Sequence, residues 1–356
     1  CDAKDLSKVL TKAKNFLGKS LVNPALECFR FHGRKIEAGD FDVACRMDLP
    51  DGLDFSGQVL VSGADAQAIA SNLKGMVTIE VSEKFVLMAD GSGKFRLSIM
   101  SEGRFPEFPD EPNDYVNVPL LCQAVKSVRP FSGDPKETQI YSSVKIDKDQ
   151  VVSANSRFTA LGIAKLGNDT GIEATMGIRL AEALSDEEDT ELAVKDNRVF
   201  LRFKGGLMHG PTVEGKYAEY RKMIARNPLP LVFTMNHSQL KEAISKISVV
   251  ARDGKSTKVK FVVGGGRLVL EAMRLADKAT VEIPAEGNGS GEFWLNMQLV
   301  AFWFRSTKCE KVTMSCDSGQ TRAVRFDGDS NLPDGRSIGL SAFVCPFVPP
   351  AGQAPQ

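Results

Sequence analysis

Net charge is absent from this sequence, in which 45 lysines and arginines face 45 aspartates and glutamates. No bulk field advertises a nucleic-acid or membrane partner, so any such partner must be met by local segregation of charge. Histidine is scarce: His32, His209 and His237 are the whole set, none spaced with a second ligand, which excludes a histidine-rich metal centre. The seven cysteines are odd in number and scattered, with no CxxC pair. They imply buried thiols in a reduced, cytoplasmic setting and no disulfide framework. No apolar run approaches the ~18–20 residues that cross a bilayer, and the N-terminal region carries charges throughout, so neither a membrane span nor a secretion signal is expected.

Catalytic signatures are missing too. The sequence has no G-x-S-x-G, Walker, H-E-x-x-H or paired-carboxylate pattern. Gly264-Gly265-Gly266-Arg267 lacks a following Lys-Ser/Thr and lies between two strand-like runs, so it reads as a hairpin turn. The acidic run 186–189 follows a helix and precedes a strand, as a solvated loop does. His209 sits in a glycine-rich stretch with no nucleophile at a recognisable spacing. No enzymatic activity, metal or cofactor is expected.

What the sequence does contain is repetition. Its 356 residues suffice for two or three domains of ~100–200 residues, and 42% hydrophobic with 25% charged residues is ordinary globular composition. Segments 5–17 (DLSKVLTKAKNFL), 119–128 (PLLCQAVKSV) and 238–247 (SQLKEAISKI) each show apolar residues at helical spacing. Between equivalent leucines, Leu6 to Leu121 is 115 positions and Leu121 to Leu240 is 119. A second helix follows in each copy, over 64–73, 176–184 and 295–304, at offsets of 63, 59 and 60 positions. Alternating strand-like runs with tight polar turns fill the intervals. Each repeat reads as helix, strands, helix, strands, an α+β unit with two helices on antiparallel sheet. The links near 106–118 and 226–232 are rich in proline and in polar or acidic residues, as domain boundaries are. A unit of this length exceeds the ~20–50 residues of solenoid repeats, so three whole domains in series are expected.

Particular motifs run through these repeats in order. Residues 55–73 lead into 76–99, with Gly91-Ser92-Gly93-Lys94-Phe95 before the last strand, and Gly103-Arg104-Phe105-Pro106 closes the first repeat. The second closes with Val213-Glu214-Gly215-Lys216-Tyr217-Ala218-Glu219-Tyr220-Arg221, and the third with Cys345-Pro346-Phe347-Val348. In this order the chain resembles the bacterial DNA sliding clamps, the beta subunit of DNA polymerase III, as a divergent member. The resemblance implies clamp domains over 1–117, 118–228 and 229–348, a disordered tail over 349–356, and a head-to-tail homodimeric ring with helices lining its hole. It also implies partners: double-stranded DNA, the replicative polymerase, a clamp loader and other clamp-motif peptides.

Three sets of residues follow. Lys4, Lys8 and Lys12 lie opposite the apolar stripe of the first helix, at i, i+4 and i+8. With Lys19, Lys126, Arg129, Lys136, Arg179, Lys241, Lys246, Lys255 and Arg305 they are candidates to face DNA; on spacing alone, solvated helix faces fit equally well. Carried over from the resemblance, a partner-peptide groove would use Tyr141, Ala154, Ser156, Arg157, Phe158, Thr159, Ala218, Met223, Phe343 and Cys345. The ring would close by edge-strand pairing through Phe95 and Leu97 on one side and Val249 and Val250 on the other, with Lys74 adding charge. The sequence departs from the family at VSANSRFTAL (152–161), at Ala218 where proline is usual, and at its C-terminal motif. A clamp-fold peptide-binding regulator or decoy that does not encircle DNA is the alternative reading.

Overall fold

The computed structural model describes residues 1–101, 103–134, 136, 138–155, 159–184, 189–225, 229–253, 256–274, 277–318, 322–332 and 334–347. The first repeat opens with α1 (Ala3–Lys14), which buries Leu6, Leu10 and Ala13 on one stripe; the Asp2 carboxylate caps it by accepting from the Lys4 amide at 2.8 Å. Four strands follow, β1 (Cys28–Gly33), β2 (Lys35–Gly39), β3 (Ala44–Asp48) and β4 (Phe55–Ser62), then α2 (Gly63–Ala70) and a meander of β5 (Thr78–Val81), β6 (Phe85–Ala89) and β7 (Lys94–Ser98). Gly63, at the start of α2, is closely packed, since a Cβ there would fall 2.6 Å from the Leu17 side chain and 3.2 Å from the Glu27 carbonyl.

The second repeat runs β8 (Val116–Val118), α3 (Leu121–Val128), β9 (Ser143–Asp147), β10 (Gln150–Ala154), β11 (Ala160–Lys165), β12 (Glu173–Gly177), α4 (Ile178–Ala183), β13 (Thr190–Lys195), β14 (Arg198–Phe203) and β15 (Gly206–Pro211). Asp196 and Asn197 have positive φ at the β13–β14 hairpin, as their residue types favour. A short helix, α5 (Tyr220–Ala225), precedes the third repeat. That repeat has β16 (Leu231–Asn236), α6 (His237–Ala251), β17 (Arg252–Asp253), β18 (Ser256–Gly264), β19 (Arg267–Arg274) and β20 (Asp277–Pro284). It ends with β21 (Glu286–Gly287), β22 (Gly291–Asn296), α7 (Met297–Ser306), β23 (Lys311–Cys316), β24 (Val324–Asn331) and β25 (Ser337–Val344). Gly264 pairs with Arg267 across the glycine run, which is the hairpin turn expected there. The α+β class holds, and helix, strands, helix, strands recur in all three copies, with a strand (β8, β16) ahead of the first helix in the second and third.

The chain divides into two compact units, residues 1–119 with 182–212, and residues 120–181 with 213–356. The first unit holds an eight-stranded sheet of order β4-β1-β2-β3-β15-β14-β13-β8 and the meander β5-β6-β7. The second holds a nine-stranded sheet, β12-β9-β10-β11-β25-β24-β23-β16-β21, and a five-stranded sheet, β17-β18-β19-β20 with β22 on β18. One rule generates both large sheets: the third front strand of a repeat pairs with the last strand of the next. β3 takes β15 from Gly206↔Met47 to His209↔Ala44, and β11 takes β25 from Ala160↔Val344 to Ala164↔Leu340. All these pairings are antiparallel, and they make the middle repeat a contributor to both units.

Candidate partner groove, DNA-facing residues and sheet edges

The outer face of the β10–β11–β25 junction is apolar. Val152 faces Ile163, Ala154 faces Leu161, and Leu161 faces Phe343 across the ladders, so their side chains share one side of the sheet. Ile140, Tyr217 and Tyr220 complete the buried cluster, with Tyr141, Val213, Ile224 and Phe343 packed against it half-buried. Tyr217 and Tyr220 come from the strap that follows β15, which lies over the junction and continues as α5. Of the residues expected in the groove, Tyr141, Ala154 and Phe343 meet in this cluster. Thr159 and Cys345 adjoin one another, the Thr159 carbonyl accepting from the Cys345 amide at 2.9 Å, and the Ala218 carbonyl accepts from the Tyr220 amide at 2.8 Å. Burial pushes the Cys345 thiol up, away from the reactive thiolate. Met223 lies on α5, and Ser156, Arg157 and Phe158 lie outside the described residues.

Sequence reasoning missed Ile140, Val152, Leu161, Ile163, Val213, Tyr217, Tyr220 and Ile224 as cluster members. The signal was present in part. The motif that closes the second repeat contains Tyr217 and Tyr220, spaced so that both rings return to one side. A polar rim borders the cluster. The Tyr220 hydroxyl donates to the Asp147 carboxylate, the Arg221 Nε reaches Asp147 at 3.2 Å, and its terminal nitrogen reaches Asp149 at 3.0 Å. Burial pushes the Asp147 carboxyl up, but Tyr220, Arg221 and Lys145 outweigh it and hold the group below the usual carboxylate range. The same contact and burial drive the Tyr220 phenol well up. This is an anchored, apolar surface with a charged border.

The candidate DNA-facing residues separate into three groups. Lys4 and Lys8 are exposed on α1, Lys19 beyond it, Lys136 in a loop, Arg179 on α4, Lys241 on α6 and Arg305 on α7. Lys12, Lys126 and Arg129 are half-buried: Lys12 lies 3.6 Å over the Phe203 ring, and the last two stand at the end of the strongly buried α3. Lys246 is exposed and paired with Glu242 at 2.6 Å, one helical turn before it. Lys255 and the run 185–188 lie outside the described residues, as does the tail 349–356.

Phe95 and Leu97 do lie on an edge, because β7 pairs only with β6 in its meander. Phe95 is 38% exposed; Leu97 is 7% exposed and turned into the core. Lys74 follows α2, its amide donating to Asp90 at 2.9 Å. Val249 and Val250 are not on a strand. They occupy the last turn of α6, where Val249 is 72% exposed, and an edge strand of the third repeat is β20. The resemblance placed this pair on a strand, but the apolar stripe Leu240, Ala243, Ile244, Ile247 extends to Ala251 and carries the helix through both valines.

No protein-family model matches the chain. A beta sliding clamp of Micrococcus luteus is 23% identical over 254 residues, covering 67% of this chain and 81% of that protein. A solved DNA polymerase III beta subunit of Thermotoga maritima superposes with a TM-score of 0.82 at 17% identity, over 98% of both chains. The Helicobacter pylori beta clamp in complex with carprofen gives 0.80 at 16%, over 98% of this chain and 99% of that one. A Pseudomonas aeruginosa clamp bound to griselimycin gives 0.79 at 16%, over 98% of both. This chain has the fold of the bacterial sliding clamps and a distant sequence similarity to one of them. The clamp fold accounts for the threefold repeat and for strands shared between successive repeats. Among the described residues, no helix is long and apolar enough to cross a membrane.

Proposed function

We propose that the chain is a DNA sliding clamp, a non-catalytic processivity factor that closes with a second copy into a ring around duplex DNA. One observation carries this reading. Among the described residues, the rule that joins β3 to β15 and β11 to β25 leaves one open edge each on β20, the third front strand of the third repeat, and on β7, the last strand of the first. Applied once more between two chains, the rule pairs β20 of one copy with β7 of the other, and a twofold arrangement satisfies both edges. Unpaired edges are an aggregation hazard, which such closure removes. Phe95 and the exposed Val249 would add apolar contact beside the paired strands.

Duplex DNA carries one negative charge per ~1.7 Å of axis and is bound without regard to sequence by distributed lysines and arginines. Lys4, Lys8, Lys19, Arg179, Lys241 and Arg305 would supply that contact from helices and the segments that follow them. Retention by threading needs no tight grip, and neutral overall charge is compatible with it. Polymerase, clamp loader and other partners would dock short apolar segments against Tyr141, Tyr217, Tyr220 and Phe343, gaining effective concentration at the primer end. The experiment is retention after loading on nicked circular DNA, compared with the same DNA linearised. Loss on linearisation is expected; equal retention on both forms would reject encirclement.

A further inference from the structure

The partner cluster has a counterpart one repeat earlier. Val152 faces Lys145 on β9 and Ile163 on β11, while Glu37 faces Arg30 on β1 and Arg46 on β3. Two residues back along the third strand, Leu161 meets Phe343, and Ala44 meets His209. The covering straps correspond as well, for Gly103-Arg104-Phe105-Pro106-Glu107-Phe108 matches Gly215-Lys216-Tyr217-Ala218-Glu219-Tyr220 in spacing and in type. His209 therefore holds the place of Phe343, and Glu37 and Arg46 hold those of Val152 and Ile163.

This first junction encloses a cavity of about 510 Å³, lined in part by Phe41, Phe105, Phe108, Arg104, Arg198 and His209. Phe41 is 68% exposed at its rim. Glu37 on its floor is already matched, by Arg30 and Arg46. His209 is not matched. Its Nδ1 lies 3.0 Å from the Arg198 guanidinium, which can only donate, so the ring proton is on Nε2. That nitrogen is buried on a residue 4% exposed and has no hydrogen-bond partner among the described residues. The Phe108 ring, edge-to-face at 4.6 Å, offers only a weak π acceptor. Arg198 itself meets the carbonyls of Phe41 and Asp42 and no carboxylate among the described residues.

We infer that this junction is a second peptide-binding site, taking a segment that places an aromatic side chain among Phe41, Phe105 and Phe108 and a carboxylate against His209 and Arg198. A buried donor left unpaired is costly, and an acceptor from the ligand removes that cost. A carboxylate also balances the Arg198 charge, which a carbonyl does not. At the second junction Phe343 stands in the place of His209 and brings no ring nitrogen to satisfy. The inference draws on the partner-groove reading only for the class of occupant; His209 and the repeat equivalence carry the rest.

The test titrates the full chain, with its histidines isotopically labelled, with N-acetyl-Phe-Asp-amide and with N-acetyl-Phe-Asn-amide. Saturable movement of the His209 ring signals by the Asp peptide, at least tenfold weaker with the Asn peptide, is expected. The His209 protonation midpoint should rise with the first peptide bound, because the carboxylate favours the imidazolium. A silent His209 at millimolar peptide overturns the site, and equal response to the two peptides overturns its acidic selectivity. Perturbation confined to Tyr141 and Phe343 also overturns it, while leaving the groove at the second junction standing. In His209→Phe the preference for Asp should disappear.

Discussion

The ammonium of Lys12 lies 3.6 Å from the centre of the Phe203 ring, so a lysine in register with Lys4 and Lys8 turns inward onto the first unit instead of outward. The three lysines are then not interchangeable. Lys4→Glu with Lys8→Glu should weaken binding to duplex DNA at low salt about tenfold and flatten the salt dependence by up to ~2 in log–log slope. The far-ultraviolet circular dichroism should be unchanged. Lys12→Gln should instead lower unfolding stability by about 0.5–1 kcal/mol. Unaltered DNA affinity in the double variant would remove α1 from the DNA-facing surface.

Closure through β7 and β20 gives a second expectation. Phe95→Asp puts a charge beside the open edge without touching Leu97, which holds β7 to the core. The variant should halve the mass measured by light scattering at micromolar concentration while keeping the melting temperature of the folded chain. A tenfold rise in the dimer dissociation constant corresponds to about 1.4 kcal/mol. A dimer of undiminished strength would place the interface elsewhere.

The first junction should be sensitive to acid in two stages. Burial, with Arg198 and Arg46 nearby, lowers the His209 imidazole to about 4. The unfolded chain, with histidine near ~6.5, binds the proton more readily, so stability falls as pH drops from about 6.5 to about 4 and then levels off for this group. The ceiling is roughly 3 kcal/mol. Burial pushes the Glu37 carboxyl up, but bonds from Arg46 and Arg30 outweigh it and hold the group low. Its contribution is present above the unfolded carboxylate value and is lost as pH falls through the lower folded one. His209→Phe should abolish the first stage of denaturant-measured stability loss and leave the second; a variant with the original slope would assign that stage to another group.

The helices were readable because α1, α3 and α6 each carry apolar residues at helical spacing, a periodicity that needs no tertiary context. The strands β2 and β11 were not. Ala160 to Ala164 are all buried, so β11 shows no alternation to mark it. The pairing of β3 with β15 joins residues far apart in sequence, and no local pattern encodes which strand a bare edge will find. The groove was half readable for the same reason. Tyr141, Ala154 and Phe343 came from resemblance, whereas Val152 and Ile163 become its floor only once β10 and β11 lie side by side. Val249 and Val250 show the converse failure: the resemblance set them on an edge strand, and the buried stripe of α6 holds them in a helix.

Phe343 offers the most direct test of the groove, because it is half-buried and its ring packs on the apolar cluster with the Arg325 guanidinium 5.4 Å from its centre. Truncation to alanine removes a wall of the groove while β25 keeps its ladder to β11, so folding should lose little. Removing a central aromatic anchor costs about 2 kcal/mol or more at a well-packed interface. Phe343→Ala should therefore weaken capture of a polymerase-derived clamp-motif peptide about thirtyfold in fluorescence polarisation, with dimer mass and retention on nicked circular DNA unchanged. Tyr217→Phe provides the contrast: it keeps the ring and changes only the hydroxyl, so peptide affinity should stay within about threefold. Equal loss in both variants would mean that the phenol, not the apolar face, makes the decisive contact, and the groove would then have to be redrawn around the hydroxyl of Tyr217.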